Sequence, residues 1–95
     1  MFEALIREFE FVAENVNLRK WRPLVRALGV TDADIDHLHE QYPRNVREQV
    51  LRALLLWASR SGGQASPAVL MNALRNCELR LLAEKLEDLG KSVQQ

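Results

Sequence analysis

An all-α fold, a six-helix antiparallel bundle, is what this sequence predicts, on three observations. Apolar residues recur at steps of three and four along nearly its whole length, as they do on helix faces turned toward a core. The interruptions are helix signals as well. Thr, Asn and Ser stand where N-caps belong, Pro where a first turn or a stop belongs, and Gly where a helix end belongs. No stretch keeps a period of two, and no Asn-Gly or Asp-Gly pair offers a hairpin turn.

Phe2, Leu5, Ile6, Phe9, Val12, Ala13 and Val16 define the inward stripe of the first helix. Trp21, Leu24, Val25 and Leu28 define a short second one. Pro23 is tolerated there only in the first turn, where its missing N–H is no loss. Gly29 ends that helix because it takes positive φ without a Cβ clash. Thr31 and Asp34 form a capping pair for the third helix, with Ile35 and Leu38 facing inward. Tyr42-Pro43 stops it, since a residue before proline avoids the α region. Asn45 and Glu48 open the fourth helix, whose buried stripe is Val46, Val50, Ala53, Leu54 and Trp57. Ser61-Gly62-Gly63-Gln64 is a turn. Ser66 caps the fifth helix with Pro67 at its first position, and Leu70, Ala73, Leu74 and Cys77 face the core. Leu79, Leu82, Ala83, Leu86 and Leu89 belong to the sixth, which Gly90 is expected to close. Helices this short, joined by short loops, bury their stripes against one another as an antiparallel bundle.

The 95 residues read as one domain, 1–95, with a single core. Thirteen Lys and Arg balance thirteen Asp and Glu, for a formal net charge of zero. That excludes a general nucleic-acid binder, which needs surplus positive charge to displace counterions. It also excludes an electrostatic membrane anchor. No window holds about 18 uncharged apolar residues, so no membrane insertion is expected. The N-terminus interleaves acid with apolar residues, unlike a signal peptide. One cysteine allows no intrachain disulfide and no cysteine-based zinc site. A cytoplasmic location is the expectation.

Little in the sequence points to catalysis. His37 and His39, two residues apart on a helix, point about 200° from each other and cannot share a metal. Cys77 reads as a buried structural thiol. There is no phosphate loop and no nucleophile motif, so no catalytic residue, cofactor or metal is expected. Asp32, Asp36 and Glu40 place three acids on one face of the third helix. Outside a cleft these form a solvated or partner-facing stripe rather than an acid–base pair.

Charge does carry a pattern. Arg19, Lys20, Arg22 and Arg26 gather around the second helix, and the acidic stripe follows at once. Adjacent patches of opposite sign on a neutral domain suit head-to-tail docking between similar domains, and ordinary mixed surface charge accounts for them equally well. The fourth helix adds a second feature. Leu51 and Leu55 lie about 120° and 160° from its buried stripe. Either that helix is buried on two sides, the favoured reading, or these leucines form an apolar contact surface.

From Trp21 to Trp57 the residues resemble a known family. Trp21-Arg22-Pro23-Leu24-Val25-Arg26-Ala27-Leu28-Gly29-Val30 is similar to the tryptophan-bearing helix of death domains. Asp32-Ala33-Asp34-Ile35-Asp36, Tyr42-Pro43-Arg44-Asn45 and Leu54-Leu55-Leu56-Trp57 follow in the family's order. Ala73-Leu74-Arg75-Asn76-Cys77 and Leu82-Ala83-Glu84-Lys85 resemble its last two helices. Within the family the pattern is most similar to the adaptors of Fas-type receptors, with a second likeness to adaptors of the caspase-2 pathway and a local one to ankyrin-type death domains.

The resemblance implies a six-helix bundle of the death-domain type acting as a non-enzymatic adaptor in apoptotic signalling. Its partners would be other death domains, of receptors or adaptors and Fas-type foremost, with a homo-oligomer possible. The family's contact positions would fall on Arg26 and Asp32, with Arg19, Arg22 and Val30 nearby, and Arg44 on a loop used in assemblies. Asp36, Leu51 and Leu55 complete the expected surface from the charge and periodicity patterns. The sequence departs from the Fas-type adaptors at Leu51 and Leu55, where they carry bases, and at Lys20, where they carry an acid. Those adaptors also carry a death-effector domain ahead of the matching region, so a fragment is expected. The alternative is a structural, receptor or scaffold death domain without Fas-type recruitment.

Overall fold

The computed structural model describes residues 3–62 and 64–93, with side chains for 6–62 and 64–89. Phe2, Leu5 as a side chain, and Gly63 therefore lie outside the described residues. Six helices follow in order: α1 (Glu3–Asn15), α2 (Trp21–Ala27), α3 (Asp32–Gln41), α4 (Val46–Arg60), α5 (Pro67–Asn76) and α6 (Arg80–Val93). Among the described residues there is no strand.

Helix α4 is the centre of the bundle. It packs against α1, α2 and α3, while α6 closes the far side against α1 and α5. Its buried positions are Gln49, Val50, Ala53, Leu54, Trp57 and Ala58. Trp57 meets Phe9 of α1 with ring centroids 5.9 Å apart and tilted by 50°, an arrangement the aromatic quadrupoles favour. Trp21 is buried at the start of α2, and Leu24 and Val25 of the same helix are fully covered. A seven-residue helix is too short to persist by propensity, so this burial holds it in place.

The caps form as expected, with one exception of detail. Thr31 and Asp34 make a reciprocal capping box: Thr31 Oγ1 accepts from the Asp34 N–H, and Asp34 accepts from the Thr31 N–H at 3.0 Å. Ser66 Oγ accepts from the Val69 N–H, with Pro67 at the first helical position. Asn45 Oδ1 accepts from the Glu48 N–H at 3.1 Å, but the Glu48 carboxylate faces Arg52 rather than completing a box. Gln49 is the one buried polar residue among those described, at 1% exposure. Its side-chain amide donates to the Tyr42 carbonyl at 2.9 Å, which ties α4 to the end of α3.

Two helix ends share one hydrogen-bond pattern. After α2, the Gly29 N–H donates to the Arg26 carbonyl and the Val30 N–H to the Val25 carbonyl. After α5, the Glu78 N–H donates to the Arg75 carbonyl and the Leu79 N–H to the Leu74 carbonyl. Both are Schellman closures, which need a left-handed residue at the turn. Gly29 supplies it at φ +100°, and Glu78 supplies it at φ +62°.

Three expectations about α5 and α6 need correcting. Cys77 is the C-cap of α5 and only half-buried, because the closure turns the chain away before that position can enter the core. Leu79 precedes α6 as the inward residue of that closure. Helix α6 runs through Gly90 to Val93 instead of ending there. A glycine inside a helix costs about 1 kcal/mol, which does not stop a helix whose apolar face is packed.

Candidate protein-interaction surface

The turn after Gly29 sets the geometry of the α2–α3 edge. It brings the last turn of α2 beside the first turn of α3, so Arg26 Nε lies 2.6 Å from Asp32 Oδ1. Each charge also sits at the helix end whose dipole favours it, Arg26 at a C-terminus and Asp32 at an N-terminus. The two side chains remain 49% and 73% exposed. The opposite patches read from the sequence are thus joined through a shared ion pair.

The other expected residues divide. Arg22 and Asp36 are exposed on α2 and α3, and Arg22 stacks its guanidinium 5.5 Å from the Trp21 ring. Arg19 is exposed ahead of α2, where it shares a surface with Asn76, Cys77 and Glu78 at the end of α5 instead of the α2–α3 edge. Val30 departs from expectation: it is 2% exposed and belongs to the core. As the residue after the left-handed turn it folds back against its own helix, so it shapes the edge without presenting a side chain. Arg44 is exposed on the α3–α4 turn at φ +62°, beyond the far end of the ten-residue α3. That places it about 15 Å along the helix axis from Asp32. Leu51 and Leu55 are both half-buried and packed against the core, between the two readings their spacing allowed.

Leu55 opens onto a groove of about 620 Å³ between α3 and α4, with Leu38, Tyr42 and Leu56 among its apolar lining. One end is closed by a pair the sequence reading did not foresee. Arg60 grips Asp34 with two bonds, Nη1 to Oδ2 at 2.6 Å and Nη2 to Oδ1 at 3.0 Å. Hydrogen bonds from Arg60, then from the Thr31 backbone and hydroxyl, hold the Asp34 carboxyl well below the ordinary carboxylate range. The same bond raises Arg60 above its ordinary value. The residues are 26 apart in sequence, so nothing local announces the pair.

Asp34 is held ionised and consumed by Arg60, the reverse of the poised carboxyl that acid–base catalysis needs. His37 and His39 are exposed. No group of three His, Cys, Asp or Glu among the described residues could hold a metal ion. No helix among them is long and apolar enough to cross a membrane.

A small helical bundle with a charged edge and an apolar groove defines a protein-interaction module. The family model for the death domain matches residues 7–90, and the chain belongs to that family, whose members are non-enzymatic interaction domains. Among its relatives, the FAS-associated death domain protein of Mus musculus is 40% identical over 85 residues, 90% of this chain and 41% of that protein. The Homo sapiens protein of the same name is 39% identical over 90 residues, 95% of this chain and 43% of that protein. Tumor necrosis factor receptor superfamily member 10B of Mus musculus is 35% identical over 80 residues, 84% of this chain and 21% of that receptor. The chain therefore spans well under half the length of each.

Proposed function

We propose that this domain is a non-enzymatic adaptor module of death-receptor signalling in the cytoplasm, which binds the death domains of receptors or other adaptors, Fas-type receptors foremost. The observation that carries the reading is the Arg26–Asp32 pair on the α2–α3 edge. An ion pair this exposed contributes about 0–1 kcal/mol to the fold. Exchanging its members for a partner's charges therefore costs little, and the partner's own acid and base fix its register. Arg22 and Asp36 extend the charge along the same two helices, and Arg19 stands ahead of α2. Likeness to proteins named as FAS-associated supports the Fas-type partner. Each contact is weak, and several per domain give a stable assembly by avidity.

The test is light scattering coupled to size exclusion, with the domain mixed with a Fas-type receptor death domain. A mixed complex is expected, and Asp32→Lys or Arg26→Glu is expected to weaken it at least about tenfold, the effect of one lost charge contact of roughly 1.4 kcal/mol. A complex indifferent to both substitutions would remove this edge from the binding surface.

A second reading rests on α4. Leu51 and Leu55 are half-buried and apolar, where the resemblance read from the sequence implies bases in Fas-type adaptors. That favours a different partner, or a structural or scaffold role, with apolar contact along the Leu55 groove. Leu55→Glu separates the two, since it should spare an α2–α3 complex and abolish one seated in the groove.

A further inference from the structure

Helix α3 is the least enclosed helix of the bundle. Each of the other five packs substantially against at least two neighbours, whereas α3 packs substantially only against α4. Beside that contact lies the groove of about 620 Å³, and its two walls are built alike. Asp34, His37, Leu38 and Gln41 line it from α3, and Arg52, Leu55, Leu56 and Ser59 line it from α4. Both sets advance by three, one and three residues, which is one face of a helix over two turns. Two such faces side by side make a trough that receives the ridge of a third helix.

The side chains are graded along that trough. Arg60 bonds Asp34 at one end, and Arg52 lies 5.4 Å from the centre of the Tyr42 ring at the other. Leu38, Leu55 and Leu56 fall between them. The distance from Arg52 to Arg60 along α4 is eight residues, about 12 Å, or a little over two helical turns. The exposed His37, Gln41 and Ser59 add polar groups that suit the polar flanks of a helix better than a bare acyl chain.

Charge distinguishes the two ends. Arg60 gives two donors to Asp34, so that end is neutralised within the chain. Arg52 has only an ion pair with Glu48 at 3.5 Å, and the Glu48 oxygen facing it has no hydrogen-bond partner. Glu48 is not among the lining residues, and the Arg52 side chain is 48% exposed. A guanidinium carries five N–H donors, and Arg52 makes no hydrogen bond with them among the described residues. The complementary occupant is therefore apolar along the middle and bears a carboxylate at the Arg52 end.

We infer that this groove docks a short acidic amphipathic helix of a partner protein, which packs leucine-type side chains on Leu38, Leu55 and Leu56 and sets a carboxylate on Arg52. That helix supplies α3 with the second neighbour the chain itself does not provide. The inference rests on the second reading above, apolar contact along the Leu55 groove, and names its occupant. A contact two turns long predicts half-saturation on the order of 100 μM, in the range of transient encounters.

Fluorescence anisotropy on the 95-residue chain tests it. The probe is a fluorescein-labelled alanine-rich helix of about 15 residues, with leucines at one-turn spacing and a glutamate one turn beyond them at each end. Either direction along the groove then brings a carboxylate to Arg52. Saturable binding is expected, with amide shifts confined to α3 and α4 in nitrogen-15 spectra. Replacing both glutamates by lysine should weaken binding at least tenfold. Arg52→Glu should weaken the glutamate peptide at least tenfold and bind the lysine peptide more tightly, a reversal that a purely structural arginine would not produce. Leu55→Glu should abolish binding of either peptide, and matching thermal melts establish that the variants fold. No saturation by about 1 mM, equal binding of the two peptides, or shifts centred outside α3 and α4 would each overturn the assignment. Dodecanoate seated in the groove while the peptide stays free would overturn it too, in favour of an acyl carboxylate. If the peptide fails but Leu55→Glu still abolishes a complex with an intact partner domain, the second reading stands and only the helical occupant is lost.

Discussion

The ends of α2 and α5 are closed by the same pair of hydrogen bonds, yet they are built from different residues and carry different surroundings. After α2, glycine takes the left-handed position, the next residue is a buried valine, and a charged pair lies across the turn. After α5, glutamate takes that position, the next residue is a half-buried leucine, and two leucines stand in solvent nearby. The first turn is relaxed and anchored from within. The second carries local strain and is anchored less deeply. Hydrogen-bond pattern alone therefore does not determine which residue a turn demands. Burial of the residue that follows decides how much strain a closure retains.

The anchoring of the α2 turn can be broken directly. Trp21→Ala removes the buried indole at the first position of α2 and should cost about 3–5 kcal/mol. Against a typical total of about 5–15 kcal/mol, that loss brings the domain close to unfolding at ambient temperature. Urea denaturation followed by Trp57 fluorescence checks it. A loss below about 1 kcal/mol would mean that α2 is held by its exposed charges, and the contrast between the two turns would collapse. Because such a variant also abolishes binding, it cannot locate an interface.

The apex residues sharpen the comparison, with opposite signs. Gly29→Ala meets no atom within 4 Å of the added Cβ, so its cost is purely conformational. Forcing an L-residue into the left-handed region should destabilise by about 1–2 kcal/mol. Glu78→Gly should do the reverse and stabilise by about 0.5–1 kcal/mol, less the small loss of the Lys20 pair and the added freedom of the unfolded chain. Thermal melts of both variants measure the two effects. If Glu78→Gly destabilises by as much as Gly29→Ala, the glutamate serves its own fold and the α5 turn carries no strain.

The fold was legible because its signals are local. Stripes such as Leu70, Ala73 and Leu74, the Thr31–Asp34 box and the Gly29 stop follow from spacing and residue type alone. Val30 was misplaced for a different reason. It was placed among contact positions by the family resemblance, although an apolar residue following a left-handed glycine is the usual inward anchor of such a closure. Glu78 gave no signal, since nothing marks a glutamate for positive φ. The Asp34–Arg60 clamp and the Gln49–Tyr42 tie were beyond reach for different reasons. The first joins residues 26 apart, and the second uses a glutamine that periodicity placed only by its neighbours. Leu55 fell between two readings because a central helix is neither covered all round nor open. It borders a groove, which only the placement of α3 defines.

The smallest expected effect concerns the α3 side of the first turn, and it is confined to acid. Asp34 has its folded pKa depressed from an ordinary 3.8, mainly by the Arg60 hydrogen bonds and then by Thr31. A carboxylate depressed on folding contributes stability that is fully present above its unfolded pKa, and loses it as pH falls toward the folded one. From pH 7 to 5 the contribution should therefore be flat. Below about pH 4 it should fade as protons bind the unfolded chain. Asp34→Asn cannot titrate, so its melting temperature should lie below the wild type at pH 6, with the gap narrowing steadily between about pH 4 and pH 2. Circular dichroism melts at half-unit intervals resolve the two curves. Parallel curves down to pH 2 would mean that the Asp34 charge adds nothing and that its side chain serves only as the N3 partner of the Thr31 capping box. The α3 start would then owe its position to the Gly29 closure alone, without help from the α4 clamp across the groove.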